Sequence, residues 1–374
     1  MCMKVKKIVL LVYRLTGGGA ERVASLWASG FADRGYDVTI ITATGNKEDM
    51  TYNLSKLVKH IVIEIPLSNR IIKGVLYRIG VGKFYFLLNL KKILHEIRPD
   101  VCIGILGDYA LQAYKCTRDL GCKIINTEHN AYDRPDFVKS RPDVMKMKFH
   151  TNKIFDCVTV LTEADTKVPN IPNENMVVLP NPLTFEPVKE IPHKEKIILA
   201  TGRLDVWNVK GFDNLIRAWG RIANQYPEWK LIIAGEGHKN SKDYLGKLVK
   251  EEHVENTVSF PGFCDNIIDY YKKASIFVLS SRYEGFGMAL TEAMSQGCAC
   301  IACDFNGRQR EIIQNDNQGI ICSNDNYMEL ADAIKRMIDD DKYRERSRVF
   351  AIERSKYYLI DKTIDRWEHI FQTL

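Results

Sequence analysis

Along the first 183 residues, short apolar runs rich in β-branched residues alternate with longer segments whose apolar positions recur every three or four residues. KKIVLLVY (6–13), DVTIIT (37–42), HIVIEIPL (60–67), DVCIGIL (100–106), CKIINTE (122–128) and DCVTVLT (156–162) have the length and composition of buried strands. Between them the pattern predicts helices over 20–34 and 83–98. In the second of these, apolar residues fall at 84, 87, 88, 90, 94 and 97, a helical stripe that stops before Pro99. Strand and helix in strict alternation predict a parallel, doubly wound sheet.

The alternation breaks at VVLPNPLTFEPVKEIPHKEK, where four prolines and several charges without periodicity predict a linker near 180–195. It then restarts with KIILATG, WKLIIAGEG, TVSFPGF, SIFVLSS, CACIACD and GIICSN as strand candidates. The chain therefore reads as an α/β protein with two Rossmann-like doubly wound domains facing a cleft. The expected division is 1–183 for an acceptor-binding domain and 184–355 for a donor-binding domain, followed by a helix over 356–374. That last segment spaces Leu359, Ile360, Ile364, Trp367 and Phe371 along one face, and is expected to pack back on the N-terminal domain.

Composition changes this picture little: 374 residues with 45% hydrophobic and 27% charged describe a globular chain. Charge is more informative. Residues 1–183 hold 26 Lys and Arg against 18 Asp and Glu, while the rest hold 27 against 29. The first half suits an anionic partner, a phosphate or a membrane surface; nucleic acid is not expected. Residues 70–98 interleave Arg70, Lys73, Arg78, Lys83, Lys91 and Lys92 with large apolar side chains. Two readings stay open there: contact with an anionic membrane, or a core helix with a solvated face. The N-terminal apolar run is short and has no small-residue cleavage site, and no run approaches a membrane span. A cytoplasmic protein is expected, peripheral on the cytoplasmic face of the membrane under the first of those two readings. Ten cysteines lie mostly in apolar runs, and Cys300 and Cys303 would face opposite sides of a strand, so neither metal nor redox chemistry is predicted.

The chemistry concentrates at SSRYEGFGMALTEAMSQGC (280–298). A strand ending near Ser280 leads through a glycine loop into a helix from Met288 to Gln296. Gly285 and Gly287 let backbone approach a ligand, and the helix start offers unpaired N–H groups to a phosphate. Glu284 lies in the loop, and Glu292 one turn beyond Met288 on the same helix face. Carboxylates in those places accept hydrogen bonds from sugar hydroxyls. Arg203 and Lys210 in TGRLDVWNVKGF also leave a strand at its carboxyl edge, where cations would stabilise a departing diphosphate. YRLTGGGAER forms a further strand–glycine loop–helix around Gly18 and Gly19. It lacks the G-x-G-x-x-G spacing and the acid that a nicotinamide site needs.

EGFGMALTEA resembles the E-x7-E signature of retaining glycosyltransferases of the GT-B fold, family 4. GGGAER, TEHN, PNP, LIIAGEG, SFPGF and GCACIACDFNGRQREII follow in the family's order over essentially the full chain. The resemblance implies a retaining glycosyltransferase that moves a hexose or N-acetylhexosamine from a nucleoside-diphosphate sugar to a glycan or lipid-linked acceptor. UDP is placed ahead of GDP, and neither cofactor nor metal is expected. By the same resemblance Glu284 binds the donor sugar and Glu292 the ribose. Phe286, Gly287 and Met288 present amides, Gly235 and Phe263 lie against the base, and Arg203 and Lys210 hold the diphosphate. His129, ending a strand in INTEHN, contacts the sugar. The DVWNV insert makes the Arg203-to-Lys210 interval longer than the family pattern. A sugar-nucleotide epimerase and a non-catalytic sugar-nucleotide-binding subunit are the competing readings.

Overall fold

The computed structural model describes residues 5–44, 52–67, 74–76, 78, 80–135, 137–138, 142–169 and 174–374. Two compact units divide the chain. The first comprises Met1–Asp133, Lys139–Pro182 and Ile360–Leu374; the second comprises Arg134–Val138 and Leu183–Leu359.

In the first unit, β1 (Lys7–Val12), β2 (Asp37–Thr42), β3 (Lys59–Val62), β4 (Val101–Ile105), β5 (Lys123–Thr127), β6 (Cys157–Val160) and β7 (Met176–Val178) form one parallel sheet in the order β3-β2-β1-β4-β5-β6-β7. The apolar runs become strands because every residue of β4 and β6 is buried, so both faces need apolar side chains. Helix α1 (Gly19–Asp33) buries Val23, Trp27 and Phe31 on one stripe. Helix α2 (Val81–Ile97) buries Phe86, Leu90 and Leu94 at the four-residue spacing of a core-facing helix. These three side chains pack with Ala110 and Ala113 of α3 (Gly107–Thr117). Helix α2 starts two residues earlier than its apolar pattern suggested. It ends at Arg98, which turns left-handed (φ +50°) immediately before Pro99. Strand β7 was hidden inside the proline-rich stretch: Val177 and Val178 pair with Thr159 and Val160 before the linker begins.

In the second unit, β8 (Glu195–Thr201), β9 (Lys230–Ala234), β10 (Val258–Ser259), β11 (Ala274–Leu279), β12 (Ala299–Cys303) and β13 (Ile320–Cys322) form a parallel sheet in the order β10-β9-β8-β11-β12-β13. Helix α4 (Phe212–Ile222) buries Phe212, Leu215, Ile216, Trp219 and Ile222, with Trp219 Nε1 donating to Thr257 Oγ1 at 2.9 Å. Each such buried side chain contributes roughly 1.5–3 kcal/mol. Helices α5 (Lys239–Glu251), α6 (Ile267–Lys273), α7 (Met288–Ser295), α8 (Tyr327–Asp339) and α9 (Asp341–Ser355) follow.

Helix α10 (Ile360–Thr373) belongs to the first unit. Trp367 meets Trp27 edge-on at 5.1 Å and Phe371 lies 5.6 Å from Phe31, while Arg34 pairs with Asp365 at 2.8 Å.

Both sheet orders turn around, at β1/β4 and at β8/β11. Where strand order reverses, the connections at the carboxyl ends part in opposite directions and leave a crevice. In the second unit, the segments leaving β8 and β11 at that point are 202–211 and 280–287.

Candidate active site

The loop after β8 carries Arg203 and Lys210. The DVWNV insert coils into a 3-10 turn (Leu204–Val206) and one helical turn (Trp207–Lys210), so its added length is taken up locally. Asp205 anchors it by accepting from the His238 N–H at 2.7 Å and from Ser241 Oγ at 3.1 Å. Those bonds hold the Asp205 carboxyl below its usual range, the His238 N–H foremost. Trp207 stacks on Tyr244 with ring centres 4.1 Å apart. At the far end of the insert, Lys210 Nζ lies 2.5 Å from Glu284 Oε1.

Glu284 is 14% exposed, and the same Oε1 also accepts from Ser281 Oγ at 2.8 Å. Its Oε2 has no hydrogen-bond partner among the described residues. An acid with one oxygen anchored and one open is oriented without being used up. Arg203 is exposed and its side chain makes no ion pair among the described residues. Gly235 follows β9 at φ +158°, where a Cβ would stand 1.8 Å from the carbonyl oxygen of Gly202; only glycine lets the segments leaving β8 and β9 approach so closely. Phe263 is 68% exposed and lines, with Pro261 and Tyr270, an open cavity of about 530 Å³ that does not include Lys210 or Glu284.

Glu292, expected one turn beyond Met288 and aimed at the same ligand, has its carboxylate engaged by residues of the second unit. It is 6% exposed: Oε1 accepts from Thr184 Oγ1 at 2.8 Å and Oε2 from the Tyr271 hydroxyl at 3.0 Å. Tyr271 is fully buried and also bonds Thr201 Oγ1 at 3.3 Å, which ties Glu292 to the carboxyl end of β8. Burial, and after it the Glu292 charge, push the Tyr271 phenol up. Phe286 turns its ring inward, 4% exposed, edge-on to Tyr358 at 5.4 Å. Gly287 and Met288 stand at the start of α7, with Gly287 as its cap.

The structure therefore joins Lys210, Glu284 and, through Gly202, Gly235 at the turnaround of the second sheet. Gly18, Gly19 and His129 lie in the first unit. Gly18 precedes α1, and its carbonyl accepts from the Tyr52 hydroxyl at 3.1 Å. His129 follows β5, with Nε2 3.0 Å from Thr127 Oγ1 and its ring 5.6 Å from Trp27. Burial lowers its pKa to about 4, against a smaller opposing effect of Asn181 beside it, so the imidazole is neutral at pH 7. A neutral ring can bind a hydroxyl without adding charge. Behind it, Lys148 is 2% exposed and donates to the carbonyls of Asn130 and Ala131, shaping the 128–132 turn. Thr184, Tyr271 and Lys148 had no signal in the sequence, because each acts through a partner remote along the chain, whereas Ser281 bonds Glu284 three positions on. Among the described residues no three His, Cys, Asp or Glu side chains gather as a metal cage, and no helix is long and apolar enough to cross a membrane.

Residues 17–184 match the family model Glycosyltransferase Family 4, and residues 184–354 match Glycosyl transferases group 1. The chain is 27% identical to a Campylobacter jejuni protein named N-acetylgalactosamine-N,N'-diacetylbacillosaminyl-diphospho-undecaprenol 4-alpha-N-acetylgalactosaminyltransferase, over 95% of this chain and 96% of that one. Its fold is similar to sucrose-phosphate synthase from Thermosynechococcus elongatus, with a TM-score of 0.81 at 19% identity over 98% of both chains. It is also similar to Anabaena HepE solved in complex with UDP and glucose, with a TM-score of 0.77 at 17% identity over 99% of this chain and 100% of that one. With both sheets, their turnaround and the E-x7-E loop in place, the two adjoining matches carry the conclusion: the chain belongs to the GT-B glycosyltransferases of family 4, retaining enzymes that use a nucleotide sugar.

Proposed function

We propose that the chain transfers a hexose or N-acetylhexosamine, with retention, from a nucleoside-diphosphate sugar to a glycan or lipid-linked acceptor in the building of a cell-surface polysaccharide or glycoconjugate. The observation that carries this reading is the Lys210–Glu284 contact of 2.5 Å at the turnaround of the second sheet, with Glu284 Oε2 left open. Glu284 accepts hydroxyls of the donor sugar. Arg203 and Lys210 stabilise the charge that grows on the diphosphate as the bond from the sugar C1 to its oxygen breaks. The acceptor hydroxyl attacks C1 on the same face, and its proton passes to a leaving phosphate oxygen. No side-chain nucleophile is needed.

Gly287 and Met288 offer amides to the phosphates, with Phe286 as the buried anchor of that loop. Gly235 and Phe263 serve the base, Glu292 the ribose, Gly18 and Gly19 the donor phosphates or the acceptor, and His129 the sugar. UDP is preferred over GDP, supported by the UDP in the HepE complex. The name of the Campylobacter relative, with its diphospho-undecaprenol acceptor, supports a lipid-linked acceptor here. The outward face of α2 suits that acceptor's surroundings: Val81, Phe84 and Leu88 are 44%, 65% and 55% exposed, with Lys91 and Lys92 exposed beyond them. Apolar side chains beside cations fit the cytoplasmic surface of an anionic bilayer. Arg70 and Lys73, named with this segment above, lie outside the described residues.

A thermal-shift panel of UDP, GDP, ADP and CMP with their sugar conjugates, with magnesium or with chelator, tests the donor half. A ligand at a hundredfold excess over its Kd contributes about 2.7 kcal/mol, several degrees of Tm for a chain of this size. A rise with UDP that chelator leaves unchanged is expected. A rise only with GDP corrects the base, a magnesium requirement overturns metal independence, and no rise with any nucleotide overturns the donor seat.

A further inference from the structure

The loops leaving β8 and β11 are joined by a side chain that the transfer reaction does not use, Arg282. Its guanidinium forks onto Asp213, with Nη1 2.7 Å from Oδ1 and Nη2 2.9 Å from Oδ2. Nε donates to Asp325 Oδ1 at 2.5 Å, and Nη1 donates also to the carbonyl of Asn208 at 2.8 Å. Four of the five guanidinium N–H groups are thus directed, on a side chain 16% exposed against an Asp213 that is 8% exposed.

The backbone around Arg282 acts on the same turn. Its own N–H donates to the carbonyl of Val209 at 2.8 Å, and Ser280 Oγ donates to the carbonyl of Lys210 at 2.8 Å. Three successive carbonyls, those of 208, 209 and 210, are therefore held by residues 280 and 282. Gly211 follows at φ +64°, where a Cβ would stand 1.9 Å from the Ser280 carbonyl oxygen, so the two loops touch backbone to backbone. The residues that carry the salt bridge thus also fix the backbone from which Lys210 projects.

We propose that Arg282 is a positioning residue: by clamping 208–211 to 280–284 it sets Lys210 against Glu284 and thereby in line with the donor diphosphate. The proposal rests on the donor reading above. Only arginine provides the clamp, because a lysine keeps the charge but cannot reach Asp213, Asp325 and the Asn208 carbonyl from one plane.

The test is a double-mutant cycle read by calorimetric titration with UDP, and with GDP in parallel, on the full chain. Lys210→Ala is expected to weaken UDP binding about tenfold or more, and Arg282→Lys about fivefold. The double variant should fall within about twofold of Lys210→Ala alone, because the clamp has nothing left to position. Costs that multiply, or an Arg282→Lys variant that binds UDP as the wild type does, overturn the proposal while leaving the donor reading intact. A wild type that binds neither nucleotide overturns the donor reading, and the clamp with it. Should Arg282→Lys fail to fold, Asp213→Asn, which keeps the shape but removes the charge facing the fork, carries the same cycle.

Discussion

At the turnaround of the second sheet the loops after β8 and β11 bring Lys210 onto Glu284 and Arg282 onto Asp213. The carboxyl edge of the first sheet carries instead a glycine turn at 17–19 and a neutral His129. Both sheets are parallel and reverse their order at the same place, between the first and fourth of their strands. Topology thus sets where the loops go, and the side chains on those loops set what each edge can bind. Paired charges suit a diphosphate sugar, whereas a neutral imidazole suits hydroxyls.

The comparison breaks most sharply at Glu284. Glu284→Ala is expected to lower transfer by about a thousandfold or more, a loss of roughly 4 kcal/mol in the transition state, while UDP binding stays within about threefold. Steady-state rates and UDP titration on one preparation check both halves. Glu292→Ala should do the reverse in kind. UDP binding weakens about tenfold, and stability falls by roughly 1–3 kcal/mol because the buried hydroxyl of Tyr271 and the half-buried one of Thr184 lose their acceptor. Urea unfolding measures the second effect, and an unchanged midpoint would show that the inward orientation of Glu292 has no energetic weight.

The smallest effect sharpens the other side. His129 has a folded pKa of about 4, below its value in the unfolded chain near 6.5. Between those values the unfolded chain binds the proton and the folded chain does not. Stability from the neutral ring is therefore complete above pH 6.5 and is lost as pH falls toward 4. Because the ring is partly open to solvent, the expected loss is about 1–2 kcal/mol. His129→Asn should flatten that part of the stability profile. If the profile does not change, the imidazole titrates normally and the neutral ring assigned to His129 is wrong.

Several parts of this molecule were legible in the chain itself. Glu284 and Glu292, eight positions apart around a glycine loop, announced both the loop and the helix after it, since local spacing and turn chemistry are properties of neighbours in sequence. The buried strands were equally plain, because a strand covered on both faces must be apolar at every position. β7 escaped notice because three edge residues leave too short a run to stand out from the prolines that follow.

What tertiary structure alone decided is how distant segments meet. The length of the DVWNV insert put the place of Lys210 in doubt, and folding resolved it by coiling the insert and pinning it through Asp205 and Trp207. The inward turn of Glu292 depends on Thr184, 108 positions away, and on Tyr271. The Arg282 clamp joins residues from three separate segments, 208–213, 280–282 and 325. By itself the sequence determined the period of each element and the residue types on each loop, because those depend on nearest neighbours along the chain. Which charges pair, which carboxylate keeps an open oxygen and which histidine stays neutral depend on burial and on partners brought together only by folding.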